Sequence, residues 1–427
     1  MSDHRQLTFK STDKFELQSF ASRLEAFLAT EHYFVEGGLV ISLNGPFGSG
    51  KTTFLEMWRN AIAERRKEAV DLPVPIILNA WESDFCGDPL LSLVSAISTE
   101  LGTGSDEAAR ENSNKLREAA KDAAWFGAGL VGGVAAQLTG FNPLAAAEFA
   151  EKKKKAREGV ATHQNLLVAY EGRMNALAHL KNVLTEAFGG VRPNAIIMVD
   201  ELDRCRPNYA VEYLETIKHV FDIHGIVFVL AVDKAQLRSS AKALFGVDLN
   251  FDEYYRKFAH RSVELPTPTQ QGISRLVAHY AITILESVDC KRSTMLELQN
   301  RVRDIEEIIS SFKLVPRQIH QVFRLIGHAM SCEPPQRGKL LWGFGAAAIL
   351  MSALSVANPI LYSRIGQGSA DIHDFEFLFK LLATQHLDWW AMVIFTGYGS
   401  DDAEKDENLL LEFIRIGALP SQERTRA

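Results

Sequence analysis

Apolar residues near the start of the chain recur every three to four places, at Phe15, Leu17, Phe20, Leu24, Phe27 and Leu28. That spacing is one face of an amphipathic helix over residues 14–31. After the pair Gly37-Gly38 the pattern changes. Residues 39–43 form a short β-rich run that breaks at Asn44-Gly45-Pro46, and helical character resumes from about Gly50. Three further runs, residues 74–78, 195–199 and 226–232, are apolar without polar alternation, which predicts strands buried on both faces of a parallel sheet. Residues 262–265, ending at Pro266, are a fifth candidate strand. Strands alternating with helical stretches predict an α/β domain whose parallel sheet is covered by helices.

From Gln270 onward the segments QQGISRLVAHYAITILES, TMLELQNRVRDIEEIISSF and PRQIHQVFRLIGHAM all read as helix, with no strand run between them. The chain is therefore divided into an α/β domain over 1–268 and an all-α domain over 269–427. Residues 98–190 are too many for a normal crossover between the second and third strands. They predict a helical insertion, charged at both ends with an Ala- and Gly-rich middle.

Composition adjusts this picture in three places. A hydrophobic content of 47% over 427 residues supports a large core. The formal net charge of -7 provides no global basic field, so nucleic acid is not the expected partner. Cys86, Cys205, Cys290 and Cys332 are scattered without metal-ligand spacing, as free thiols in a reducing compartment would be. The charged first thirty residues have no signal-peptide core, which places the expectation in the cytoplasm or on the cytoplasmic side of a membrane.

The chemistry is concentrated between strand and helix. Gly45-Pro46-Phe47-Gly48-Ser49-Gly50-Lys51-Thr52, followed by Thr53, fits G-x-x-x-x-G-K-[ST] in the strand–turn–helix context that gives the pattern meaning. Glycines let backbone N–H groups turn toward phosphate oxygens, and the helix start adds the positive end of its dipole. Lys51 is expected to neutralise the β- and γ-phosphates and the Thr52 hydroxyl to ligate Mg²⁺. Asp200, at the end of an apolar run, is the second metal candidate, and Glu201 beside it is the candidate general base. A glutamate there marks the branch of P-loop enzymes with an additional strand beside the P-loop strand. Arg204 is either a charge stabiliser for phosphate or half of a local ion pair. Asp233, closing the fourth run, can orient water, cap the following helix, or do both. The N-K-x-D tetrad that reads guanine is absent from the sequence, which favours ATP over GTP.

Taken together, GPFGSGKT, the LNAWE segment at 78–82, DELDRC at 200–205, VFVLAVDKAQL at 227–237, YYRKFAHRSVELP at 254–266 and VPRQIHQVFRLI at 315–326 resemble the KAP family of P-loop NTPases. Where that family usually shows Asp-Asp, this chain has Asp200-Glu201. The resemblance implies ATP hydrolysis with Mg²⁺, a role in antiphage defence or membrane-linked signalling, and a nucleotide-reaching arginine at Arg317. A nucleotide-binding switch or scaffold with negligible turnover is the alternative.

KAP proteins often carry membrane helices between the two nucleotide motifs, and the uncharged stretch 123–147, followed by the basic residues Lys152 to Lys155 and Arg157, is long enough for one span. One crossing would put Lys51 and Asp200 on opposite sides of a bilayer, and two need on the order of 40 apolar residues. The expectation is a peripheral membrane contact through 123–157, packing against a protein partner or second copy, or a plain intrachain helical pair. The second uncharged stretch, 340–363, is expected to be a buried helix interrupted at Asn358-Pro359. Trp389-Trp390 reads as core or partner surface.

Overall fold

The apolar runs fold as β1 (Leu39–Asn44), β2 (Val74–Asn79), β3 (Ala195–Asp200) and β4 (Ile226–Val232), with β5 (Arg261–Glu264) at one edge. In the computed structural model of the chain they form one sheet in the order β2-β3-β4-β1-β5, every pairing parallel. The structure describes residues 7–69, 71–102, 107–130, 163–285, 298–330, 342–371, 373–374 and 377–378. Contacts divide the chain into two units, Met1–Phe47 with Lys51–Pro266, and Gly48–Gly50 with Thr267–Ala427.

Successive strand residues point to opposite faces, and here each face meets its own core. Val40, Ile76, Leu78, Ile197, Val199, Phe228 and Leu230 pack with the helices Pro89–Gly102, His163–Phe188 and Pro207–Val220. Leu39, Ile41, Leu43, Ile196, Met198, Val227 and Val229 pack with Leu17–Glu31 and Lys51–Arg66. Burial on both faces is why β3 and β4 are apolar at nearly every position. Strand β5 is short and largely exposed, as an edge strand tolerates. The additional strand is β4, which separates β1 from β3.

The long segment between β2 and β3 is helical where described, with Glu107–Leu130 and His163–Phe188 as its main elements. It is not an appendage. Leu116, Ala119, Ala120, Leu180, Leu184 and Phe188 belong to the same buried cluster as one face of the sheet. Gly225 must be glycine: its φ is +109°, and a Cβ there would lie 2.2 Å from the Phe188 carbonyl oxygen. Residues 131–157 and Trp389-Trp390 lie outside the described residues.

The second unit holds the helices Gln270–Tyr280, Leu298–Ser311, Pro316–Met330, Trp342–Ala357 and Pro359–Gly366, and among its described residues there is no strand. Ile319, Val322, Phe323 and Ile326 recur at helical spacing and are fully buried. Trp342–Ala357 buries Ile349, Leu350, Ala353 and Leu354. It stops before Asn358, whose side chain accepts the Leu361 N–H at 3.1 Å, with Pro359 in the first turn of the next helix. Among the described residues no helix is long and apolar enough to cross a membrane.

Candidate functional site

At the carboxyl end of β1 the chain leaves the sheet at Asn44 and re-enters helix at Lys51. Gly48 (φ +81°) and Gly50 (φ +98°) lie in the region that side chains with a Cβ avoid, so the motif's glycines are required by backbone shape. Gly45 N–H donates to the Val232 carbonyl at 3.2 Å, and Phe47 N–H donates to Asp233 Oδ2 at 3.0 Å. The other oxygen of Asp233 accepts the N–H groups of Ala235 and Gln236, capping the helix Lys234–Phe245. Asp233 thus caps a helix and tethers the loop, and the two roles use different oxygens.

Lys51 is 8% exposed and its Nζ donates to the carbonyls of Gly45, at 2.6 Å, and Pro46, at 3.3 Å. A buried ammonium resting on two loop carbonyls is a cation held inside the loop. Thr52 follows on the first turn, its hydroxyl donating to Asp200 Oδ2 at 2.5 Å. Asp200 is 4% exposed; burial raises its carboxyl above the usual range, opposed by the hydrogen bonds from Thr52 and the Glu201 N–H. Thr53 is exposed one position on. Ser49 Oγ, in the same loop, is buried without a hydrogen-bond partner.

Glu201 sits where β3 ends, in left-handed conformation with φ 59° and ψ 22°. Its Oε1 pairs with Arg204 at 3.0 Å and its Oε2 accepts Asn79 Nδ2 at 3.2 Å. The Arg204 guanidinium lies 4.7 Å from the centre of the Phe47 ring and 5.6 Å from that of Trp81. Of the two roles open for Arg204, the ion pair is the one with a visible partner. Asp203 faces inward, its carboxyl raised by burial and lowered by Lys51, with Oδ1 unpartnered. Cys205 closes the segment; its Sγ–H points at the Glu201 carbonyl at 3.7 Å, and burial pushes the thiol up to about 12. In the second unit, the Arg317 N–H donates to the Gly48 carbonyl at 3.1 Å.

Three residues near these groups carried no role in the sequence reading. Asn44 reaches Glu264 with both Nδ2 bonds at 2.8 Å and accepts the Lys234 N–H at 3.0 Å, joining the ends of β1, β4 and β5. Asn79 caps the helix Ala80–Asp84 while donating to Glu201. Trp81 follows it. The LNAWE segment was a visible signal, but a polar residue closing a strand gains a role only once the neighbouring strand is known.

Mg²⁺ suits this donor set. It takes oxygen ligands, keeps several waters and uses one or two protein oxygens alongside phosphate. Thr52 Oγ1 and Asp200 Oδ2, 2.5 Å apart, are such a pair, and among the described residues no cluster of three or more His, Cys, Asp or Glu could hold a metal alone.

No curated protein matches the chain. Among solved structures, the ADP form of the ORC2 protein of Aeropyrum pernix is similar at 13% identity and a TM-score of 0.38, over 84% of this chain and 70% of that one. The ADPNP–ADP complexes of the same protein give 11% identity and a TM-score of 0.37, over 96% and 84%. The model of the KAP family P-loop domain matches residues 17–331, close to three quarters of the chain, with β1 to β5, Lys51, Asp200 and Glu201 inside the match. With that match over a parallel P-loop sheet, the chain belongs to the KAP family of P-loop NTPases.

Proposed function

We propose that the chain binds ATP with Mg²⁺ at residues 45–53 and hydrolyses it, using nucleotide state to drive conformational change or assembly. One observation carries the reading: a buried Lys51, the Thr52–Asp200 pair and Glu201 stand together at the carboxyl ends of β1 and β3. Backbone N–H groups of the loop and the Lys51 ammonium bind the phosphates; Asp233 keeps the loop in shape. Water attacks the γ-phosphorus and yields its proton to the Glu201 carboxylate, while the bond from the bridging oxygen to that phosphorus breaks and its electron pair leaves on ADP. Thr52 and Asp200 are the residues that would hold Mg²⁺, which when bound offsets charge on the phosphate oxygens. Arg317 is proposed as the arginine that links turnover to the helical region, so Arg317→Ala is expected to spare ADP binding and reduce turnover.

The partner is proposed to be a second copy or another protein, with a peripheral membrane contact through 123–157 included in the proposal. The biological setting is antiphage defence or membrane-linked signalling, carried by family resemblance. A second reading, a nucleotide switch with negligible turnover, is favoured by one feature: both oxygens of Glu201 are engaged, by Arg204 and Asn79. Single-turnover hydrolysis of radiolabelled ATP separates the two. Phosphate release that Glu201→Gln abolishes supports the hydrolase; ATP bound and intact over many minutes supports the switch.

A further inference from the structure

The proposed base, Glu201, is paired with Arg204. Arg204 is largely covered, with 28% of its side chain exposed, and its NH1 meets Glu201 Oε1 at 3.0 Å. Its guanidinium lies 4.7 and 5.6 Å from the centres of two rings, Phe47 from the phosphate loop and Trp81 from the helix after β2. Both rings are about half exposed, at 47% and 51%, although each is large enough to have been buried elsewhere.

The helix bearing Trp81 is itself fixed. Asn79 caps its start through the Trp81 and Glu82 N–H groups at 3.0 and 3.3 Å. Asp84 at its end accepts the Arg206 N–H at 3.1 Å and Arg206 Nε at 3.0 Å, and Ser83 Oγ lies 3.0 Å from the Tyr209 hydroxyl. Trp81 therefore stands on an element pinned to both sides of the Glu201–Arg204 turn.

We propose that contact with Trp81 and Phe47 holds the Arg204 guanidinium so that its ion pair, with the Asn79 hydrogen bond, sets the direction of the Glu201 carboxylate, which makes Trp81 and Arg204 positioning residues for hydrolysis. The physical reason is freedom of rotation. A glutamate has three side-chain torsions, and one ion pair to a mobile arginine leaves most of them free. A planar cation held against two rings loses much of its own rotation, because a guanidinium is attracted to ring faces and stacks on them. Glu201 then has one donor of fixed position on each oxygen. Trp81 acts only through Arg204. This inference rests on the hydrolase reading above.

The test uses the full chain and compares Trp81→Leu, Trp81→Phe, Arg204→Gln and the double variant Trp81→Leu/Arg204→Gln with the parent and with Glu201→Gln. The readings are kcat, KM, affinity for a fluorescent ATP analogue with Mg²⁺, and the urea midpoint of unfolding without nucleotide. Trp81→Leu is expected to lower kcat roughly two- to thirtyfold, the reach of a cation–π contact, with KM and nucleotide affinity within about twofold of the parent. Trp81→Phe, which keeps a ring face, restores most of the loss. The double variant turns over no more slowly than Arg204→Gln alone. The urea midpoint shows the same coupling: Trp81→Leu lowers it in the parent background and not in Arg204→Gln.

Parent kcat in Trp81→Leu, a Phe variant no better than Leu, or single effects that multiply in the double would each overturn the proposal. Turnover in Glu201→Gln equal to the parent would take the base role away from Glu201 and overturn this inference with it. That failure is recognisable, since it leaves the stability coupling of Trp81 and Arg204 intact.

Discussion

Glu201 adopts a backbone conformation that residues with a Cβ visit rarely, and it does so at the end of a fully buried strand. Strain of this kind persists where the surroundings over-determine it, here through the Asp200, Arg204 and Asn79 contacts. Glu201→Gln is expected to retain ATP binding and lower hydrolysis roughly 10²-fold or more, measured as phosphate release at saturating ATP. Lys51→Ala removes the buried ammonium of the loop and is expected to weaken ATP binding about 10- to 100-fold, the worth of one charge-assisted bond, by equilibrium titration. Cys205 gives a prediction of a different kind. A thiol pushed up to about 12 carries roughly three orders of magnitude less thiolate at pH 8 than an ordinary one, so mass spectrometry of alkylated peptides should find Cys86 labelled long before Cys205. The Cys205 lag should shrink as pH rises.

Among the elements, the helix Lys234–Phe245 has a cap that serves two structures. Asp233 Oδ1 closes the helix and Oδ2 holds the Phe47 N–H, so substitutions separate the roles. Asp233→Asn keeps an oxygen for the cap but turns an NH₂ toward the Phe47 N–H. It should change stability by a few tenths of a kcal/mol and weaken nucleotide binding. Asp233→Ala loses both functions, with about 1 kcal/mol of stability lost as well. Equal nucleotide affinity in Asn variant and parent, by titration, would remove the loop-tethering role. The sheet elements follow a simpler rule. Phe228 is fully buried on β4, and Phe228→Ala should cost about 3–5 kcal/mol in urea unfolding.

For the whole molecule, the segment between β2 and β3 matters more than an insertion suggests, because its helices cover one face of the sheet. Leu180 is fully buried in that cluster, and Leu180→Ala should destabilise the protein by about 2–5 kcal/mol, as a core position does. If its urea midpoint equals the parent's, the helical layer is not coupled to the sheet. Ligand binding should be visible at the same scale. ATP with Mg²⁺ at 100-fold above its dissociation constant adds about 2.7 kcal/mol to stability, read as a rise in unfolding temperature. At the same ATP concentration Lys51→Ala should shrink that gain to about 0.4–1.4 kcal/mol.

The sequence alone determined what depends on local chemistry and on burial common to a whole strand. Residues 195–199 and 226–232 read as strands because a parallel strand covered on both faces has no place for a polar side chain. The phosphate loop read clearly because its constraint is local: positive φ at Gly48 and Gly50, then lysine and threonine on a helix's first turn. Strand β5 was harder to read, since an edge strand exposes Arg261, Ser262 and Glu264 and loses the apolar signal. Tertiary structure decided the rest. Strand order placed β4 between β1 and β3, a matter of pairing between segments far apart in sequence. It set Asn79 beside Glu201 across 122 residues and Trp81 and Phe47 around Arg204. It made the helices Glu107–Leu130 and His163–Phe188 part of the core, because an amphipathic helix shows which face it buries and not what it buries that face against.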